Sequence, residues 1–165
     1  MKREEKSVRS KSADIRLKRI LVPIDFSPLS TKALQYALRF AEEFGAEVML
    51  LHVIEPEVPP LFDGSMIAPP IITNGNRTKS ANRLRKLANS MAVPGTNRVE
   101  SIVRTGLAAY EIGEVAKESD VDLIVIATHG YTGWKHFAIG STAERVVRAA
   151  PCPVLVVREK EHDFI

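Results

Sequence analysis

The chain contains one cysteine, Cys152, in 165 residues. A single thiol excludes an internal disulfide and any multi-cysteine metal cluster. Long apolar runs are missing too: no stretch approaches the roughly 20 residues that span a bilayer. The opening MKREEKSVRSKSADIRLKR is charged and lacks the apolar segment of a secretory signal. The expectation is a cytoplasmic protein with no membrane partner. Aromatic residues make up only 6%, and none interleaves the basic opening to stack on bases. Two nucleotide motifs are absent: there is no G-x-x-x-x-G-K-[ST] loop and no G-x-G-x-x-G after the first strand. No nucleophile stands beside a catalytic base in a recognisable pattern, which argues against a dedicated enzyme.

Charge is divided unevenly. Residues 1–19 hold eight Lys/Arg against three Asp/Glu, whereas the remaining 146 hold fifteen against seventeen. The basicity therefore belongs to a tail, read as a solvated leader over residues 1–17, and nucleic acid is not expected as a partner. Hydrophobic residues reach 45%, enough for one full core. Residues 18–160 read as a single domain, with 161–165 a short C-terminal tail.

Five apolar runs alternate with helical patterns. They are Arg19–Ile24, Glu47–Ile54, Val99–Val103, Leu123–Ala127 and Pro153–Val157. Four are almost continuous in Val, Ile and Leu, the mark of parallel strands covered on both faces; the third alternates, as an edge strand should. Ser27-Pro28 opens the first helix and Gly45 closes it. Further helices are predicted from about Lys79 to Met91, from Ala108, and from Ser141 to Ala149. Residues 55–78, rich in proline and turn signals, read as a long loop insertion.

In an open parallel sheet, ligands bind beyond the carboxyl ends of the strands, where strand order reverses. Asp25 follows the first strand, His52 and Val53 end the second, and Ala127-Thr128-His129-Gly130-Tyr131-Thr132-Gly133 follows the fourth. Gly130 and Gly133 permit close backbone approach to a ligand. Gly140-Ser141-Thr142 opens the last helix, where unpaired N–H groups suit a phosphate. The competing reading is a capping box, with Ser141 as cap and Glu144 reaching back. Asp25 has two rivals: a cap of the turn into the first helix, and a phosphoacceptor, which a fifth strand ending Val156-Val157-Arg158 rather than in lysine disfavours. His52 reads as a satisfied core histidine, and Cys152 as a small buried residue. Trp134 and Phe137 read as anchors of the glycine loop.

These segments together resemble the universal stress protein family over about residues 17–159. The resemblance rests on Ile20–Ser27, Leu51–Ile54, Asp122–Ile126, the glycine loop and Ala150–Val157. It implies strand order 3-2-1-4-5, helices on both faces, and a stress-response regulator that binds ATP, or AMP or ADP, with Mg²⁺ or Mn²⁺. The ATP-binding branch carries G-x2-G-x9-G-[ST]; here Ala127-x2-Gly130-x9-Gly140-Ser141 matches, with alanine replacing the first glycine. On this resemblance Asp25 and the Val53 backbone would address adenine, and Pro23 and Ala127 would flank the ribose. Gly130, Gly140, Ser141 and Thr142 would hold the phosphates, with His129 and Gly133 alongside. It further implies a homodimer through the fifth-strand edge, with protein partners unspecified. The alternatives are a nucleotide-free dimeric interaction module and a slow metal-dependent ATPase.

Overall fold

A computed structural model describes residues 15–56, 74–91, 99–128, 140–159 and 162. His129, Gly130, Gly133, Trp134 and Phe137, most of the long loop, and the 1–14 part of the tail lie outside the described residues.

The order is β1 (Arg19–Pro23), α1 (Pro28–Phe44), β2 (Glu47–Ile54), α2 (Asn74–Met91), β3 (Val99–Thr105), α3 (Ala108–Glu118), β4 (Leu123–Ala127), α4 (Ser141–Ala149) and β5 (Val154–Val157). The strands form one parallel sheet in the order β3-β2-β1-β4-β5. The expected order holds, and the alternating third strand is an edge. Period-2 geometry splits each central strand between two layers. Ile20, Val22, Val48, Leu50 and Val125 face α1 and α2, where Ala33, Leu34, Ala37 and Leu84 cover them. Leu21, Met49, Leu51, Ile124 and Ile126 face α3 and α4, against Ile112, Val115, Ala143 and Val146. Because both faces are covered, the central strands contain almost no polar residue.

α1 shows how local chemistry sets an element. Ser27 is its N-cap, accepting from the Ser30 N–H at 3.1 Å, and Pro28 follows at the first helical position. Gly45 ends it in the left-handed region at φ 70°, and the Ala46 N–H returns to the Ala41 carbonyl at 3.1 Å. That closes the orphan carbonyls in a Schellman motif.

Two expectations are corrected. α2 begins at Asn74 rather than near Lys79, so the last residues of the presumed 55–78 loop are helical. Buried Leu84 and Ala88 fix this helix on β2 and β3. Gly75, Asn76 and Thr78 are exposed in its first turns, where poor helix formers face no core packing. The capping box at α4 does not form. Gly140, extended at φ −57° and ψ 147°, is the N-cap and Ser141 is already helical. Glu144 then sits one position too late to reach back, and its carboxylate pairs with Arg148 at 2.9 Å instead.

Candidate functional site

At the carboxyl end of the sheet, β1 and β4 are neighbours whose connections leave toward opposite layers. A cleft of about 340 Å³ opens there. Its walls are Pro23, Ile24 and Asp25 after β1, and Leu51, His52, Val53 and Glu55 from the end of β2. Ile126, Ala127 and Thr128 from β4, Ala108 and Ile112 from α3, and the first residues of α4 complete it. Among the described residues, the structure brings together every predicted site position: Pro23, Asp25, Val53, Ala127, Gly140, Ser141 and Thr142.

Asp25 is held from one side only. Its Oδ1 accepts from the Ser27 N–H at 3.0 Å and from the Ser27 hydroxyl at 2.6 Å. The reading of Asp25 as a turn cap is therefore realised by this oxygen. Its Oδ2 is buried and has no hydrogen-bond partner among the described residues. A buried, unpaired carboxylate oxygen is costly unless a ligand supplies the missing donor. Burial by itself would raise the carboxyl pKa, but hydrogen bonds, those of Ser27 foremost, together outweigh it and hold the group below its ordinary value. The carboxylate therefore stays ionised and can only accept.

The residue after it is strained. Phe26 adopts φ 65°, which an aromatic residue rarely takes. The conformation costs about 1–3 kcal/mol and persists only where packing fixes it. Here the Phe26 ring lies 4.6 Å from the His52 ring and beneath the Arg83 guanidinium at 4.1 Å. His52 is anchored in turn, its Nδ1 lying 2.7 Å from the Ile24 carbonyl oxygen. His52 is thus a satisfied histidine, as its place on an apolar strand suggested, and it also lines the cleft.

Three helices present their N-termini at this rim, and their caps differ. α1 is capped by Ser27. α3 has no cap from its own Leu107, but the Glu55 carboxylate accepts from the Ala108 N–H at 3.0 Å. α4 has no side-chain cap among the described residues. Its start is fixed instead by the Gly140 N–H, which donates to the Thr128 carbonyl at 2.7 Å and closes the stem of the glycine loop. The first-turn N–H groups of a helix have no intrahelical partner, so α4 offers Ser141, Thr142 and Ala143 N–H groups and two hydroxyls to an anion.

Ala127, the departure from the glycine motif, sits in regular strand pairing with Val157 and is not at positive φ. Its methyl group causes no backbone strain. Sequence reasoning reached the segments that hold Glu55 and Thr128 but gave neither residue a role, and it did not place Ala108 or Ile112 of α3 at the cleft. Glu55 had a readable signal, as an acid directly after a buried strand. Cys152 is half-buried; burial, then the Asp122 carboxylate, pushes its thiol pKa up, as for a structural residue.

An open parallel α/β sheet with a cleft at its order reversal defines a class of small-molecule-binding folds. The family profile described as the Universal stress protein family matches residues 16–158, and the chain belongs to that family. It is 33% identical over 148 residues to the universal stress protein MJ0531 of Methanocaldococcus jannaschii, spanning 88% of this chain and 85% of that one. The solved structure of MJ0577, from the same organism, superposes with a TM-score of 0.71 at 26% identity, covering 90% of this chain and 100% of that one. A universal stress protein from Archaeoglobus fulgidus in complex with dAMP has the same fold, with a TM-score of 0.63 at 20% identity, over 87% of this chain and 99% of that one.

Proposed function

We propose that the cleft binds an adenine nucleotide, ATP in particular, and that the protein acts as a nucleotide-responsive regulator. The pairing of two unmet needs across one cleft carries this reading. Among the described residues, the Asp25 Oδ2 has no donor and the α4 N-terminus has no side-chain acceptor. An adenine amino group satisfies the first and a phosphate the second, while Pro23, Val53 and Ala127 supply apolar contact between them. The dAMP bound by the Archaeoglobus relative supports the same class of ligand. His129, Gly130 and Gly133 would complete the phosphate loop by the motif argument. Mg²⁺ or Mn²⁺ would arrive with the phosphates, since no group of three or more His, Cys, Asp or Glu gathers among the described residues. The open, apolar edge of β5 supports homodimerisation there, and the family supports a stress-response role in the cytoplasm.

Calorimetric titration of nucleotide-stripped protein with ATP and Mg²⁺, beside Gly140→Val, tests the reading. Micromolar binding abolished by the valine is the expected result. No binding at millimolar ATP would overturn it and favour the dimeric interaction module. Metal-dependent turnover well above background would favour the slow ATPase.

A further inference from the structure

We propose that the outward face of α2 is a docking surface for the phosphate backbone of a nucleic acid duplex. α2 carries Arg77, Lys79, Arg83, Arg85 and Lys86 and not one Asp or Glu. The average charge of the folded body hides this segregation. The helix holds five of the fifteen cations and none of the seventeen acids found after residue 19.

The cations are exposed, and their pairing differs from that elsewhere. Arg39, Arg104 and Arg148 each hold a carboxylate, Glu42, Glu118 and Glu144 respectively. No ion pair engages the five cations of α2 among the described residues. Arg83 lies over Phe26, and Arg85 donates to the Asn82 side chain at 3.1 Å. With buried Leu84 and Ala88 facing the sheet, the 3.6-residue period turns Lys79 and Lys86 directly outward. They are two turns apart, about 10 Å along the axis. Exposed Asn82 and Asn89 stand beside them on the same face, and exposed Arg83, Arg85 and Ser90 flank it.

Among the described residues, the neighbouring strands leave that field uncancelled. On β3, Val99 and Val103 pack toward the α1 and α2 layer, so Glu100 and Arg104 fall on the opposite side. On β2, Val48 and Leu50 face that layer, so Glu47 does not. The acids of α1 are Glu42, which Arg39 already holds, and exposed Glu43 near the helix's C-terminus.

A linear polyanion is the partner this surface fits. The outward face has no large apolar side chain to insert into lipid, because the apolar stripe of α2 is spent on the sheet. It has no aromatic platform for unstacked bases, which favours a duplex backbone over a single strand. Leu17 packs into the same layer as Leu84 and Ala88, so the chain enters the fold there from its basic opening. Cations spaced along a helix face suit an extended chain of phosphates better than a compact acidic patch.

The test is fluorescence anisotropy of the full-length protein with a labelled DNA duplex of about 20 base pairs, two helical turns, over a salt series. The wild type should bind with a steep salt dependence. The triple variant Lys79→Ala, Arg85→Ala, Lys86→Ala removes exposed charge and one exposed hydrogen bond, from Arg85 to Asn82, and far-UV circular dichroism should be unchanged. Its affinity should fall at least about tenfold, and the slope of log K against log salt should shrink by about 2–3, near 0.9 per lost phosphate contact. Arg39→Ala should leave both unchanged. Wild-type binding that the triple variant retains would overturn the proposal by assigning the contact to the tail. Absence of binding at low salt would overturn it too, as would adsorption to phosphatidylserine vesicles without duplex binding.

Discussion

Single atoms decide the most in this molecule. Asp25, on the cleft wall, divides its carboxylate between a structural oxygen facing Ser27 and a buried oxygen with no partner among the described residues. Asp25→Asn tests both halves, because it keeps the shape and replaces an acceptor by a donor. Adenine nucleotide affinity should fall at least about tenfold, about 1.4 kcal/mol, in calorimetry. The same variant has a pH signature. The folded carboxyl lies below its ordinary 3.8, so its stabilisation is complete above the unfolded value and is lost as pH falls through the folded one. Acid unfolding should therefore show the wild type losing stability below about pH 4 more steeply than Asp25→Asn. Ala127 is the second decisive residue. Its backbone is an ordinary strand, so Ala127→Gly relieves no strain and weakens the strand by about 0.5–1 kcal/mol. Nucleotide affinity should change by no more than about threefold, roughly 0.6 kcal/mol. A tenfold gain would mean that the methyl group crowds the ligand.

At the scale of elements, the caps allot the charges. Glu55 reaches from β2 to the first N–H of α3 and occupies that helix end with a protein carboxylate. Ser27 occupies the start of α1. On the proposed reading, that leaves α4 as the helix end that would take the phosphates. Glu55→Gln keeps an acceptor oxygen and removes the charge. Thermal unfolding should show a loss of about 0.3–1 kcal/mol, the worth of an acid at a helix N-terminus, and ATP affinity should rise as a negative charge leaves the rim. Elements whose determinants are local were legible in the sequence. Ser27-Pro28 and Gly45 marked both ends of α1, and the apolar runs marked the strands. The start of α2 was not legible, since Asn74, Gly75 and Asn76 signal a turn and only packing of Leu84 and Ala88 holds the helix in place. The α4 cap was misread because Ser141 and Glu144 have the right spacing for a box. The Gly140 N–H tie to Thr128 pulls the cap one residue earlier, and no local signal encodes a bond between two loop ends. Glu55 at Ala108 spans 53 positions, so only the fold could pair them.

For the whole molecule, the sheet order leaves two edges, and they are not alike. Along β3 exposed Glu100 and Ser101 interrupt the apolar pattern, as residues that discourage strand pairing do. β5 reads Val154-Leu155-Val156-Val157 with no charge at all. Its Pro153 and Val157 carbonyls accept from the Ile124 and Thr128 N–H groups of β4. Since the backbone alternates, Val154 and Val156 turn their N–H and C=O groups to the open side. An uncharged edge whose outward groups have no strand partner among the described residues is suited to a second copy of itself. Sedimentation equilibrium should give a mass near twice the chain's 18.2 kDa. Val156→Pro removes an outward donor and none of the bonds to β4, so far-UV circular dichroism should persist while the mass falls toward the monomer. A variant that stays dimeric with its secondary structure intact would move the interface off this edge. Persistence of the monomeric variant's ATP affinity would separate the cleft from assembly, and its loss would tie the two together.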